Sequence, residues 1–195
     1  LLMGYNSKKG GDKMKVYVMM ADGFEEIEAL AVIDVLRRGG VETIIVSVKN
    51  DKVVLSARDI PVVADTTIDK IEIASDDMIV LPGGGKGVEG LYASEPLKKL
   101  LTAHNDKKGI IAAICAGPTI PGRMGLLKGV KATCYPGCEE DLNGAVISQD
   151  DVVADQNFIT SRGPGTALEF SFKLLEMIKG REVKDKISKG MLCAK

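Results

Sequence analysis

Lys108–Pro118 reads KGIIAAICAGP, and the order of residue types in it decides the fold. Ile110 to Ile114 run without a charge and end at Cys115, and the small-residue turn Ala116–Gly117–Pro118 follows at once. A short unbroken apolar run bounded by turn signals fits a strand buried on both faces. Pro118 suits the first turn of a following helix, where its missing N–H is not needed. Strand, thiol and helix start, in that order, put the sulfur where backbone donors and the helix dipole favour a thiolate. Cys115 is therefore a candidate nucleophile. A buried cysteine acting as a small hydrophobe is the plain alternative.

Working outward, Lys15–Ala21 is a second nearly all-apolar strand and Asp22–Gly23–Phe24 turns the chain. Glu25–Arg38 carries apolar residues at helical spacing, with Arg37 and Arg38 in its last turn and Gly39–Gly40 as its stop. Glu25, Glu26 and Glu28 crowd its first turns, where acids complement the dipole. Glu28 stands apart, one turn inside the helix at the end facing the carboxyl edge of the sheet. Val41–Val48 is a strand, Lys52–Leu55 and Ile60–Ala64 a small antiparallel excursion, and Asp77–Leu81 another buried strand running into Pro82–Gly83–Gly84–Gly85–Lys86–Gly87. Helices are expected over Val88–Tyr92 and Glu95–Asn105, the second with Ser94 as cap and Pro96 at its first position. After Cys115 the pattern predicts a short helix to about Met124, a strand at Val130–Thr133, and a helical turn at Glu139–Asn143. A strand pair at Val152–Ala154 and Phe158–Thr160 follows, then helices over Thr166–Ile178 and Glu182–Lys189. Alternating strands and helices predict α/β with a mostly parallel sheet. The site of such a sheet lies outside the carboxyl ends of its strands, in the loops after Ala21, Leu81 and Ile114 and at Ser161–Thr166. Backbone N–H groups at Gly83–Gly84 suit a developing negative charge.

The 195 residues, 45% hydrophobic and 27% charged, suit one ordinary domain, read here as residues 14–195. The Gly- and Lys-rich residues 1–13 read as a leader outside the fold. A net charge of −1 gives no pull toward nucleic acid or an acidic membrane surface, and no Trp with only four Phe and four Tyr disfavours a stacking platform. No apolar run reaches the roughly 20 residues of a spanning helix. Four cysteines in a chain with a plausible core fit free thiols in a reducing cytoplasm. Cys134–Tyr135–Pro136–Gly137–Cys138 lacks a second ligand pair for zinc, so no metal is expected. The single histidine, His104, reads as a surface residue at the opposite sheet edge from Cys115. Gly85–Gly90 matches G-x-G-x-x-G, but not after the first strand of its unit, and Lys86 is not followed by Ser or Thr. No nucleotide cofactor is expected.

Ala112–Ala113–Ile114–Cys115–Ala116–Gly117–Pro118, Leu81–Pro82–Gly83–Gly84, Phe24–Glu25–Glu26–Ile27–Glu28 and Ser161–Arg162–Gly163–Pro164–Gly165–Thr166 together resemble the ThiJ/PfpI superfamily. The chain is most similar to the branch of the parkinsonism-associated deglycase and its bacterial relatives, from Met14 to the C-terminus. The resemblance implies a flavodoxin-like three-layer sandwich with a mostly parallel central sheet, usually a homodimer. It implies that Cys115 is a nucleophile on a strained elbow and that Glu28 hydrogen-bonds its sulfur. Backbone N–H groups of Gly84 and Ala116 would form the oxyanion pocket, with Gly83, Arg58, Tyr135 and Pro164 in the site wall. Arg58 matches an anion-binding arginine at the dimer-facing rim. The implied activities are glyoxalase or deglycase chemistry on methylglyoxal, other small carbonyls or glycated substrates; the alternative is oxidative-stress sensing or chaperone work. A thiazole-phosphate biosynthesis label also attaches to such proteins. A histidine of related sites is replaced here within Thr133–Cys134–Tyr135–Pro136, and Ala116 stands where a protease-like branch has His, which disfavours a peptidase.

Overall fold

The structure, a computed structural model, describes residues 14–193, so the leader expected over residues 1–13 lies outside the described residues. In chain order the elements are β1 (Val16–Met20), α1 (Glu26–Arg38), β2 (Thr43–Ser47), β3 (Val53–Leu55), β4 (Pro61–Val63), β5 (Thr66–Thr67), β6 (Met78–Leu81), α2 (Gly85–Ala93), α3 (Glu95–Asp106) and β7 (Ile110–Ile114). They continue with α4 (Thr119–Arg123), β8 (Lys131–Ala132), β9 (Val146–Ile147), β10 (Val152–Asp155), β11 (Phe158–Ser161), α5 (Ala167–Lys179) and α6 (Arg181–Gly190). Short 3₁₀ turns cover Ile68–Lys70, Glu139–Asp141 and Pro164–Thr166.

The main sheet has the order β10-β11-β7-β6-β1-β2-β5, and only β10 runs antiparallel to its neighbour. β7, the strand of the opening stretch, lies between β6 and β11 with both partners parallel. Its unbroken apolar run follows from helices on both faces. Ala112 and Ile114 join Val16, Val18, Met20, Met78 and Val80 in the core under α1 and α5. Ile111 and Ala113 join Tyr17, Met19, Ile79 and Leu81 in the core under α2, α3 and α4, with Leu91, Leu97, Leu101 and Ile120. The period of two along each strand splits one apolar sequence between two cores. The result is the expected flavodoxin-like three-layer α/β sandwich.

Register places the site. Leu81 pairs with Ala113 and Ile114 pairs with Ser161, so β6, β7 and β11 end together. Gly83 and Cys115, each two residues beyond the Leu81–Ala113 pair, emerge side by side. The excursion after β2 is the antiparallel β3–β4 hairpin, tied to the start of α1 by a Phe24–Ser56 bridge.

Several expectations are corrected. α2 begins at Gly85 and not at Val88: three glycines hide its first turns from propensity, yet tertiary contact requires two of them, Gly87 and Gly90. A Cβ on Gly87 would lie 2.6 Å from the Phe24 nitrogen, so the G-x-G-x-x-G run serves helix packing on the first loop. Pro96 is the second helical residue, after Glu95; Ser94 caps α3 as expected, its hydroxyl accepting the Leu97 N–H at 3.4 Å. The two-residue strands β5 and β9 carry no periodicity to read. His104 is not a surface residue: it is 3% exposed. It continues the buried Leu97–Leu101 face of α3, and a Cβ on Gly109 would run into its ring. It does sit at the amino edge of the sheet, beside the start of β7.

Candidate active site

Cys115 follows the last residue of β7 with φ 64°, one of five non-glycine residues with positive φ among the described residues. An L-residue in the left-handed region is strained by roughly 1–3 kcal/mol, and such strain persists only where neighbours fix the backbone. Here the Cys115 N–H donates to Ser161 O at 2.9 Å, and Cys115 O accepts the Tyr135 N–H at 2.8 Å. On the far side, the Gly117 N–H returns to Ile114 O at 2.8 Å and the Thr119 hydroxyl donates to Ala116 O at 2.7 Å. Gly117 has no room for a side chain, since a Cβ would lie 2.5 Å from Leu81 O. The elbow is thus gripped from β6, β11 and the Tyr135 turn.

Glu28 is fully buried on the first turn of α1. Its Oε2 accepts the Gly83 N–H at 2.7 Å, while Oε1 is buried without a hydrogen bond of good geometry. A Cβ on Gly83 would lie 2.6 Å from Glu28 Oε2 and 3.0 Å from Cys115 Sγ, so this glycine leaves room for carboxyl and thiol to meet. Glu25 is the N-cap of α1: its Oε2 accepts the Glu28 N–H at 2.9 Å and its own N–H donates to Gly83 O at 3.0 Å.

Burial pushes the Glu28 carboxyl up to about 7; the Cys115 thiol and the Gly83 N–H oppose the shift, and the Glu25 carboxylate adds to it. Burial also pushes the Cys115 thiol up, to about 12, together with the repulsion of an ionised Glu28. The N–H groups of Ala116 and Gly84 lie close enough to pull the thiol the other way. The pair titrates as a unit. An ionised Glu28 keeps the thiol protonated, and a protonated Glu28 removes the repulsion and offers sulfur a donor.

The structure thus brings together Cys115, Glu28, Gly83, Gly84 and Ala116. Tyr135 joins them through its backbone; its side chain is half exposed, against Gly163. Pro164 is half-buried in the 3₁₀ turn after β11. Arg58 is exposed beyond the Phe24–Ser56 bridge; its Nη1 donates to Ala57 O at 3.3 Å, and among the described residues it makes no hydrogen bond or ion pair with Glu28. Sequence reading places Ser161 in a site loop but misses that it anchors the elbow through its carbonyl, a role no side chain advertises. It also takes Glu25 for a first-turn acid; the spacing of three between Glu25 and Glu28 is the signal for a cap. A cleft of about 320 Å³ opens between Asp22–Gly23, Leu55–Ala57 and Gly85–Lys86, and Cys115 is not in its wall. Among the described residues no group of three or more His, Cys, Asp or Glu is placed to hold a metal ion, and Cys134 and Cys138 are free thiols. No helix among them is long and apolar enough to cross a membrane.

The chain is 37% identical over 179 residues to Protein dj-1beta of Drosophila melanogaster, covering 91% of this chain and 96% of that one. It is 31% identical over 185 residues to a Caenorhabditis elegans protein named glutathione-independent glyoxalase DJR-1.2, covering 94% and 98%. Its structure superposes on that of oxidized Toxoplasma gondii DJ-1 with a TM-score of 0.88 at 36% identity, covering 93% of this chain and all of that one. Residues 14–177 match the DJ-1/PfpI family, and with fold, elbow and relatives in agreement the chain belongs to the DJ-1/PfpI family.

Proposed function

We propose that the chain acts on methylglyoxal and related small carbonyls, or on their adducts, with Cys115 as nucleophile and Glu28 as proton carrier. The observation that carries this reading is the strained Cys115 elbow with a buried carboxyl of raised pKa and two backbone donors at its sulfur. The C. elegans relative's name supports the same chemistry.

In this mechanism the Cys115 thiolate adds to the aldehyde carbon, and the new alkoxide takes the Glu28 proton to give a hemithioacetal. Backbone N–H groups of Gly84 and Ala116 stabilise the charge on oxygen as it forms. Glu28, now a carboxylate, removes the proton from the former aldehyde carbon, and the neighbouring ketone oxygen takes the negative charge of the resulting enediolate. Returning that proton to the neighbouring carbon, with the hemithioacetal hydroxyl proton passing to the ketone-derived oxygen, gives the thioester of lactate. Water cleaves it to lactate and the free thiol, so the sum is methylglyoxal plus water to lactate. Exposed Arg58, which forms no ion pair with a carboxylate among the described residues, would meet anionic substrates at the rim, with Tyr135 and Pro164 as wall.

The chain would work as a homodimer. Ile27 and Leu30 on α1 and Val53, Leu55, Ile60 and Val63 on the adjoining hairpin are exposed apolar side chains, which a second copy would cover.

Lactate release from methylglyoxal tests the activity. Wild type should produce lactate, and Cys115→Ser and Glu28→Ala should each lower the rate at least 100-fold, the scale of losing a nucleophile or an acid–base group. Wild type without lactate, or Cys115→Ser as active as wild type, contradicts it. A second reading has its own support in the raised carboxyl beside the sulfur: Glu28 would hold a Cys115 sulfinate and make the chain a peroxide-responsive stress protein. Intact mass after mild peroxide distinguishes it, with two added oxygens on Cys115 in wild type and fewer in Glu28→Ala.

A further inference from the structure

Cys134 and Cys138 bracket an exposed turn, Tyr135–Pro136–Gly137. The Tyr135 carbonyl accepts the Cys138 N–H at 3.0 Å and Gly137 has φ 93°, which with Pro136 before it fits a type II turn. Such a turn brings its first and last Cα atoms within about 7 Å, and Cys134 is one residue further back. The loop is held at both ends. The Thr133 N–H donates to Thr160 Oγ1 at 2.9 Å, and the Tyr135 N–H to Cys115 O at 2.8 Å. At the other end the Cys138 carbonyl accepts the Asp141 N–H at 3.2 Å, and Asp141 pairs with Arg123 at 2.9 Å. Between these anchors the three turn residues face solvent while both cysteines turn inward. Cys134 is 4% exposed in the core under α2, α3 and α4, which also holds Ala132, and half-buried Cys138 packs against the same core. Cys115 belongs to the core on the opposite face of the sheet, under α1 and α5.

We infer that Cys134 and Cys138 are a redox couple that a peroxide closes to a disulfide across the Tyr135–Pro136–Gly137 turn, a modification site separate from Cys115. The half-buried Cys138 reacts first: its sulfur takes one peroxide oxygen as the O–O bond breaks, leaving a sulfenic acid and one water. The Cys134 thiolate then attacks that sulfur; the S–S bond forms, the S–O bond breaks, and the hydroxide leaves with the Cys134 proton as a second water. Two thiols and one peroxide give one disulfide and two waters. Burial pushes the Cys134 thiol up to about 12, with the Glu139 carboxylate and the Cys138 sulfur adding to it and Arg162 opposing. Burial raises Cys138 as well, with Glu139 and Asp141 adding and Arg123 opposing. The thiolate is the attacking species, so closure is slow at neutral pH and quickens as pH rises. The bond locks the turn that carries Tyr135, whose N–H holds the Cys115 carbonyl. Neither thiol takes part in the carbonyl chemistry, so the couple stands or falls apart from it.

The test treats the full chain with hydrogen peroxide at mildly alkaline pH, removes the peroxide with catalase, and alkylates the remaining thiols with iodoacetamide in urea, with and without prior dithiothreitol. Trypsin cuts after Lys108, Arg123, Lys131 and Arg162, so the peptide of residues 132–162 carries Cys134 and Cys138 alone and that of residues 109–123 carries Cys115 alone. The expected result is a 132–162 peptide that has lost both labels, is lighter than the unlabelled reduced peptide by two hydrogens, and regains both labels after dithiothreitol. Cys134→Ser and Cys138→Ser should each abolish that species. If the 132–162 peptide keeps both labels while the 109–123 peptide gains oxygen, the couple is overturned and the chemistry of Cys115 stands. Label loss that dithiothreitol does not reverse, or a disulfide joining the two peptides, overturns it as well.

Discussion

A buried carboxyl and a buried thiol that both face Gly83 cannot both carry charge without severe repulsion, so the proposed chemistry turns on which of them holds the proton. It also sets a pH dependence of stability. Glu28 is raised from 4.5 to about 7 in the fold, so between those values the folded chain binds more protons than the unfolded one. Stability from this group is full below about 4.5 and is lost as pH rises through about 7, on the order of 3 kcal/mol in all. Glu28→Gln carries no such proton, so its melting temperature should gain on wild type between pH 5 and pH 8; parallel curves would contradict the assignment. His104 acts with the opposite sign. Burial lowers its pKa from 6.5, so the fold holds it neutral, and its contribution is lost as pH falls below 6.5. Replacing His104 with Gln should flatten the acid limb of a melting-temperature profile, and an unchanged limb would count against a buried neutral imidazole. Cys115 is legible in sequence because the apolar run stops there. The position of Glu28 at the carboxyl edge is legible from helix phase. The burial of His104 is not, because Lys98, Lys99, Lys107 and Lys108 around it read as a solvated surface while its own phase continues Leu97 and Leu101.

Between residues and the whole fold, glycines decide where α2 begins. Gly84 caps that helix with φ 92°, and a Cβ there would collide with the Gly23 carbonyl and lie 2.7 Å from the Glu25 nitrogen. Gly84→Ala should therefore lower unfolding free energy by at least about 1–3 kcal/mol from backbone strain alone, with the clash adding to it. Urea denaturation measures this, and a loss below half a kcal/mol would contradict the close approach. The long elements were readable because their apolar residues follow a clear period: α1, α3, α5 and the central strands lie within a few residues of expectation. The start of α2 was not, since glycine has poor helix propensity and only its packing on Phe24 explains it. β5 and β9 are each two residues long and exist through their pairing with β2 and β8.

At the scale of the molecule, one carboxyl edge gathers every part of the site from elements far apart in sequence: α1, the turn after β6, the elbow after β7 and the end of β11. The exposed apolar stripe from Ile27 and Leu30 to the β3–β4 hairpin adjoins this edge through the Phe24–Ser56 bridge, and a second copy is its expected cover. Light scattering on the eluting protein should give twice the chain mass, and Ile27→Glu should shift it toward monomer; a monomeric wild type would contradict the homodimer. Burial and an ionised Glu28 push the Cys115 thiol up to about 12, so the proposed chemistry requires the proton to rest on Glu28, which removes that repulsion and frees a Cys115 thiolate near neutral pH. Ultraviolet thiolate absorbance across a pH titration, wild type minus Cys115→Ser, tests it most directly. The expected result is a Cys115 thiolate already present at neutral pH and diminished in Glu28→Ala. Ionisation only near pH 12, where burial and an ionised Glu28 would hold the thiol, would contradict it.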